Sequence, residues 1–516
     1  MLARVLHLAM RGKAGKAMDA LKSSGLVELT DENVARLRAL YPHAYSDGAS
    51  VESDGDGEED DEASGGSVDG HEGHDDGTEE TKEQKEKRIK LDGELALALA
   101  EPLRLYLQGR APETAPGVSG LTYDHFKLVF DTRAPPLECK IETLAALVVQ
   151  ILRGRFNTPK LRAALTTQRG VALAKPDATP RPVGILETLT RLASGTLVSF
   201  LQTPTTANPT PLLRTQLVAE DVGSGIPGGT EALVHAVRAK LALQPDAVAI
   251  KCDTMNAFNS ISREAVFKAA KKVNSPLLDS FADWLYGAPS VVVYESGGRT
   301  VRIVNAEGVI QGDGLSSWLF DISFSRALKE VRANPAYSDT VILALHDDLY
   351  IVGPADQAFA ALNDVWATTG RLHLIAQPIK SQALCLSSDD NVVAAATEAA
   401  AQAGVPLSFA GFVVAGAPVG TPEFMREHVQ REVAEAKEHL ELLVRAVTQS
   451  APLPHGMPAV QAIMRTIRMC IAPSLVYTAR TVPPEITTPY LRLLDRAVFD
   501  GVMHDRAWPT SRQPRH

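Results

Sequence analysis

Two adjacent aspartates, Asp347 and Asp348, sit between short apolar runs, and a third, Asp253, closes another apolar run 94 residues earlier. Carboxylates held close together repel one another. They stay ionised at low cost only around a divalent cation, and hard oxygen donors of this kind select Mg2+ or Mn2+ over softer metals. Three of them at one point would make the donor set of a two-metal site, which holds an attacking and a leaving oxygen at once. Aspartate is also a common turn former, so the pair taken alone reads as a turn as well.

Positioning the three is a task for β-structure. Residues 341–345 (VILAL) and 349–352 (LYIV) are strand-like, and the stretch between them is short enough for a hairpin tip carrying the pair. Residues 247–252 (AVAIKC) read as a mostly buried strand with Asp253 at its C-terminal end, so a sheet pairing these strands brings all three carboxylates together.

DTMNAFNSISR (Asp253 to Arg263), EGVIQGDGLSSWLF (Glu307 to Phe320) and LHDD (Leu345 to Asp348) surround the three aspartates. In that order they resemble motifs A, B and C of reverse transcriptases of the non-LTR retrotransposon type. Residues 171–194 resemble the fingers motifs, 225–238 the segment ahead of motif A, 370–384 motif D, and 411–424 motif E with the primer grip. APGVSGLTYDHFK (Ala115 to Lys127) resembles the family's opening motif, and the likeness runs from about 110 to 505. Two positions depart from it: Leu345 stands where motif C has an aromatic residue, and Gly314 where motif B has proline.

The resemblance implies an α+β right-hand polymerase: fingers, a palm made of an antiparallel sheet with helices on one face, and a helical thumb, with a small helical module at the N-terminus. It implies two Mg2+ or Mn2+ ions held by Asp253, Asp347 and Asp348, and contacts to the incoming triphosphate from Lys175 and Arg181. These two also read as turn-flanking surface charges beside Pro176 and Pro182. Phe258 falls at the steric gate that collides with a ribose 2′ hydroxyl, or is a plain core aromatic. Gln311 and Gly312 match the motif B pair that lines the nascent base pair in the family, with the glycine needed where backbone approaches closely, or form a plain turn. Asn256 and Asn259 flank the gate, or cap the helix beginning near Ser262. The implied activity is RNA-directed DNA polymerisation for a retrotransposon, using an RNA template, a DNA primer and deoxynucleoside triphosphates. The alternative is a catalytically weak or inactive nucleic-acid-binding protein from a decayed or host-adopted element.

Composition sets the boundaries. At 516 residues and 45% hydrophobic content the chain can bury several cores, and its net charge of −10 is unevenly spread. Residues 46–80 carry 15 acidic side chains and no Lys or Arg, which leaves the remainder at +5. That stretch is rich in Gly and Ser and cannot repay its ordering entropy. The expected division is a helical module at 1–45, an acidic disordered linker at 46–91, fingers and the start of the palm at 92–240, the palm with motifs A to E at 241–422, and a helical thumb with a C-terminal tail at 423–516. KEQKEKRIK (Lys82 to Lys90) reads as the solvated start of a helix or as a nuclear localisation cluster. Four scattered cysteines lack zinc-ligand spacing, no apolar run is long enough for a membrane span, and neither an endonuclease nor an RNase H segment is recognisable, as in a partial or minimal polymerase chain. A nuclear or cytoplasmic, reducing location is expected. The acid-free first eighteen residues, with Arg4, Arg11, Lys13 and Lys16, make a mitochondrial presequence the minor alternative.

Overall fold

A strand as largely apolar as 247–252, with Lys251 its one charge, is stable only where both of its faces are covered. The computed structural model, which describes residues 25–42, 81–111, 114–128, 140–175, 177–204, 211–448 and 464–503, places Val248–Cys252 at the centre of a five-stranded sheet. It pairs antiparallel with Asp348–Gly353 on one side and Gln382–Cys385 on the other. Val341–Leu345 forms the edge as a hairpin with Asp348–Gly353, and Leu407–Ser408 joins Gln382–Cys385 in parallel.

Val248, Ile250 and Cys252 enter the main core with Ala358, Phe359 and Leu362 of the helix Ala355–Gly370. Ala249, Tyr350 and Val352 belong to a second cluster with Leu233, Val234 and Val237 of the helix Gly229–Leu243 and Phe412 and Val414 of the Gly411–Gly420 hairpin. The palm sheet therefore carries the expected helices on one face, and a further helix with a hairpin on the other. The hairpin is tied down by polar contacts: the Ala415 N–H donates to Tyr350 Oη at 3.1 Å, and Tyr477 Oη donates to the Ala415 carbonyl at 2.7 Å.

The fingers contain a four-stranded sheet ordered Pro180–Ile185, Gln168–Ala174, Ser290–Ser296, Arg299–Asn305. The last two strands lie between motifs A and B, in the stretch assigned above to the palm, yet they pair with the fingers strands, Gln168 opposite Val292. Gly170 makes this approach possible, because a Cβ there would stand 2.6 Å from the Tyr294 ring. The fingers are thus discontinuous in sequence.

The helix Asp31–Ala39, capped by Thr30, packs Val34 and Leu37 with Val27, Leu29 and Tyr41 against Ala172, Tyr294 and Ile303 of that sheet. The N-terminal helix expected through Leu2, Val5, Leu6 and Met10, the presequence reading and the acidic stretch 46–80 lie outside the described residues, as does the 504–516 tail. The linker boundary at 91 moves. The helix Lys82–Gln108 begins directly after Thr81, which forms a reciprocal capping box with Gln84 and satisfies two orphan donors. Its stripe of Ala96, Leu99, Leu103 and Leu107 recurs every three or four residues and is buried in the main core.

The thumb has its own core. Val429, Val433, Leu440 and Val444 of Pro422–Thr448 pack with Ile467, Ile471, Leu475 and residues of Pro484–Met503. Phe424, placed on that stripe by the helical pattern, instead lies over Gly411, whose added Cβ would stand 2.3 Å from its ring. Mainly antiparallel sheets flanked by helices, with a separate helical unit, make this an α+β right-hand arrangement. Among the described residues no helix is long and apolar enough to cross a membrane.

Candidate active site

The sheet register decides where the aspartates stand. Cys252 lies opposite Leu349 and Leu345 opposite Asp348, so Asp253 leaves its strand abreast of Asp348 and the hairpin turn is His346-Asp347 alone. Two-residue hairpin turns need a positive φ at their first central position, where glycine is the usual choice. His346 occupies it at φ 56°, a conformation in which histidine is more frequent than most residues. The backbone of Asp253 is clamped on both sides: its N–H donates to Ser381 Oγ at 3.0 Å, and its carbonyl accepts the Gln377 N–H at 3.0 Å.

Burial holds the Asp347 carboxyl above its usual range, and the charges of Asp348 and Asp253 add to the shift. Asp253 is raised as well, mainly by burial and with a contribution from Asp348, while Lys380 and Lys251 oppose it. Lys251 Nζ lies 4.0 Å from Asp348 Oδ1. The three carboxylates are therefore coupled at one end of the sheet. Among the described residues no three His, Cys, Asp or Glu side chains converge tightly enough to hold a metal as they stand. The donor chemistry nonetheless fits a hard divalent cation, since carboxylates destabilised by burial and mutual repulsion gain most from one.

Phe258 is half-buried beside this end of the sheet and stacks on Phe320 with ring centroids 4.6 Å apart. Neither Asn256 nor Asn259 caps the following helix, Arg263–Lys272; Ser262 does, accepting the Ala265 N–H. Both asparagine amides donate instead to the Leu40 carbonyl, joining the N-terminal segment to motif A.

Gln311 and Gly312 lie in the turn ahead of the helix Gly314–Arg332. Gly312 has φ 90°, and a Cβ there would meet nothing nearer than the Gly184 carbonyl at 3.8 Å. Its requirement is conformational, and the close approach expected of it occurs at Gly308. There φ is 72° and a Cβ would lie 2.3 Å from the Asn259 carbonyl carbon. The Gly308 and Val309 N–H groups donate to the Ile261 and Phe258 carbonyls at 3.0 and 2.7 Å, which binds motif B to motif A. Gly308→Ala is expected to cost about 2–3 kcal/mol in urea denaturation, because the obstacle is backbone. Gly312→Ala should cost less.

Asp313 is buried, accepts from Ser316 Oγ at 3.4 Å, and leaves Oδ1 without a hydrogen-bond partner. Burial pushes its pKa up to about 6, from 3.8. A carboxyl with a raised folded-state pKa contributes stability that is fully present below the unfolded value and is lost as pH rises through the folded one. Wild-type stability should accordingly fall by about 2–3 kcal/mol relative to Asp313→Asn between pH 3.5 and 7. Parallel denaturant titrations across that range would reveal it.

Lys175 and Arg181 are on the fingers hairpin, Lys175 in its turn and Arg181 exposed opposite Leu173. Among the described residues no ion pair or hydrogen bond joins them to the aspartates. In the thumb, Arg426 is paired with Glu423 at 2.8 Å, whereas Arg465 and Arg468 are exposed.

Sequence reasoning passed over His346, Asp321 and Ser381. His346 Nδ1 lies 3.0 Å from Asp321 Oδ1, and this bond holds the imidazole above its ordinary pKa against the effect of burial. The available signal was Asp321, the one charged residue within 315–325 of its helix.

Residues 173–415 match the family model described as reverse transcriptase (RNA-dependent DNA polymerase). Among solved structures, telomerase from Candida albicans, in complex with a TWJ fragment of telomeric RNA, is similar at 11% identity and a TM-score of 0.36, over 68% of this chain. The chain spans 63% of that telomerase's length. Apo telomerase from Candida tropicalis is similar at 13% identity and a TM-score of 0.36, over 76% of each chain. No curated protein sequence matches.

Proposed function

We propose that this chain is an RNA-directed DNA polymerase of a non-LTR-type retrotransposon, extending a primer 3′ hydroxyl along an RNA template with deoxynucleoside triphosphates. The observation that carries the reading is the placement of Asp253, Asp347 and Asp348 at one end of the palm sheet, within the stretch that matches the reverse transcriptase family. In this reading Asp253 and Asp347 hold two Mg2+ or Mn2+ ions and Asp348 completes the site. Bound there, the ions supply Lewis-acid stabilisation to the attacking and leaving oxygens.

The protein's own groups orient and select. Ser381 and Gln377 fix the backbone of Asp253 and so the point from which its carboxylate projects. Lys175 and Arg181 meet the triphosphate, where a guanidinium fork matches phosphate oxygens in a way a point charge does not. Gln311 and Gly312 line the base pair, Phe258 excludes the 2′ hydroxyl, and Arg465 and Arg468 of the thumb meet the nucleic-acid backbone.

The test is primer extension by the full chain on RNA and DNA templates with each divalent ion. Absence of any product from the RNA template with both Mg2+ and Mn2+ would sink the reading. A nucleic-acid-binding role without turnover is favoured by one contact, Lys251 beside Asp348, which gives an expected ligand a tethered counter-charge. Calorimetric Mg2+ titration in the presence of nucleotide separates the two, because paired metal uptake belongs to the polymerase alone.

A further inference from the structure

Phe258 is held from two sides. Phe320 stacks on it at 4.6 Å with an 11° interplanar angle, and His346 meets it edge-on at 6.4 Å and 63°. Phe320 is followed on its helix by Asp321, a buried carboxylate whose Oδ1 and Oδ2 lie 3.0 and 3.1 Å from His346 Nδ1. Asp321 Oδ2 also accepts the Ser224 N–H at 3.0 Å. The contacts close a ring that runs from Phe258 to Phe320, through the peptide link to Asp321, across to His346, and back to Phe258.

A turn at this place does not require the arrangement. Glycine would satisfy the backbone of His346, and asparagine would tolerate it. What those residues would not supply is an aromatic edge against Phe258 and a ring nitrogen donating to a buried acid. The surroundings are tight as well: a Cβ on Gly223 would lie 3.0 Å from both Asp321 Oδ2 and His346 Nδ1. Rejection by steric collision is only as strict as the colliding ring is stiff, and a ring held on one side alone can rotate aside.

We propose that His346, tied to Asp321, is a positioning residue that fixes the plane of the Phe258 ring and so sets how strictly the site rejects a ribose 2′ hydroxyl. The proposal rests on the reading of Phe258 as the sugar gate. It joins motif C to sugar choice through motif B: the hairpin that carries Asp347 also braces the gate, so metal site and sugar filter share one support.

The test is equilibrium binding of a deoxy- and a ribonucleoside triphosphate to the full chain on a primer–template whose primer ends in a dideoxynucleotide, with Mg2+ present. The readout is the ratio of the two affinities. Because both are measured on the same protein, a partly unfolded variant loses signal in both arms and keeps its ratio. Phe258→Val should abolish the preference for the deoxy sugar. Asp321→Asn and His346→Asn should each lower it about tenfold, and in the Phe258→Val background neither should change it further. If the two single variants keep the wild-type ratio while Phe258→Val loses it, the proposal falls and the gate reading stands. If Phe258→Val keeps the preference, or the wild type shows none, the gate reading falls and takes the proposal with it. An effect of Asp321→Asn that persists without the Phe258 ring overturns the proposal too, since the pair would then act by another route.

Discussion

Asp347→Asn is expected to lower metal-dependent primer extension by about 10³-fold or more, while raising the melting temperature of the metal-free protein by about 1–3 °C. The two effects have one cause. Burial and the neighbouring charges of Asp348 and Asp253 disfavour the ionised Asp347 in the folded chain. An isosteric amide keeps the shape, removes the repulsion and, in the proposed reading, takes one carboxylate ligand from the metal site. Loss of activity through general unfolding would lower the melting temperature instead, so the opposite signs separate the two causes. Glu398→Gln, at an exposed carboxylate within the helix Asp390–Ala403, should change neither quantity. Extension at the wild-type rate by the Asp347 variant would remove the aspartates from the chemistry, whatever the family likeness.

The parts of this site readable from sequence were those written in local pattern. The strand ending at Asp253 and the hairpin carrying Asp347 and Asp348 show as apolar runs with a short interruption, while the two-residue length of the turn and the cover on the second sheet face needed the structure. The strands Ser290–Ser296 and Arg299–Asn305 lie in a stretch the sequence reading gave to the palm as a block, and their choice of sheet depends on Tyr294 meeting Gly170 across 124 residues of chain. Gly312 and Gly308 look alike in sequence. One is needed for its φ and the other for the nearness of the Asn259 backbone, a difference that resides wholly in the tertiary neighbour. The partnership of His346 and Asp321 was illegible for the same reason. Asp321 shows in sequence only as a lone charge and His346 only as a turn residue, and their role exists only once the helix Gly314–Arg332 and the hairpin turn are packed together.

Arg332→Ala should be the most destabilising of the changes considered, at about 3–5 kcal/mol by urea denaturation. Arg332 Nη2 pairs with Asp221 Oδ1 at 2.8 Å, with the two side chains only 12% and 6% exposed, and its Nε donates to the Ile342 carbonyl at 3.2 Å. Truncation strands a buried carboxylate and a buried carbonyl together. Arg332 Nη1 already lacks a partner in the folded chain, which places the loss toward the lower end of that range. The cost should come mainly from the abandoned charge of Asp221 rather than from the pair's own worth, and a second substitution tests this. Asp221→Asn removes the charge yet keeps an oxygen for the Val218 N–H, which Asp221 Oδ2 accepts at 3.2 Å. The double variant Arg332→Met with Asp221→Asn should therefore be more stable than Arg332→Ala alone; equal stabilities would mean that the charge is not what is costly. The segment at stake pairs with the palm edge through Glu220, Val222 and Ala344, and leads directly to Ser224, whose N–H holds Asp321. A chain weakened here loses its grip on Asp321 and, through it, on the turn that carries Asp347.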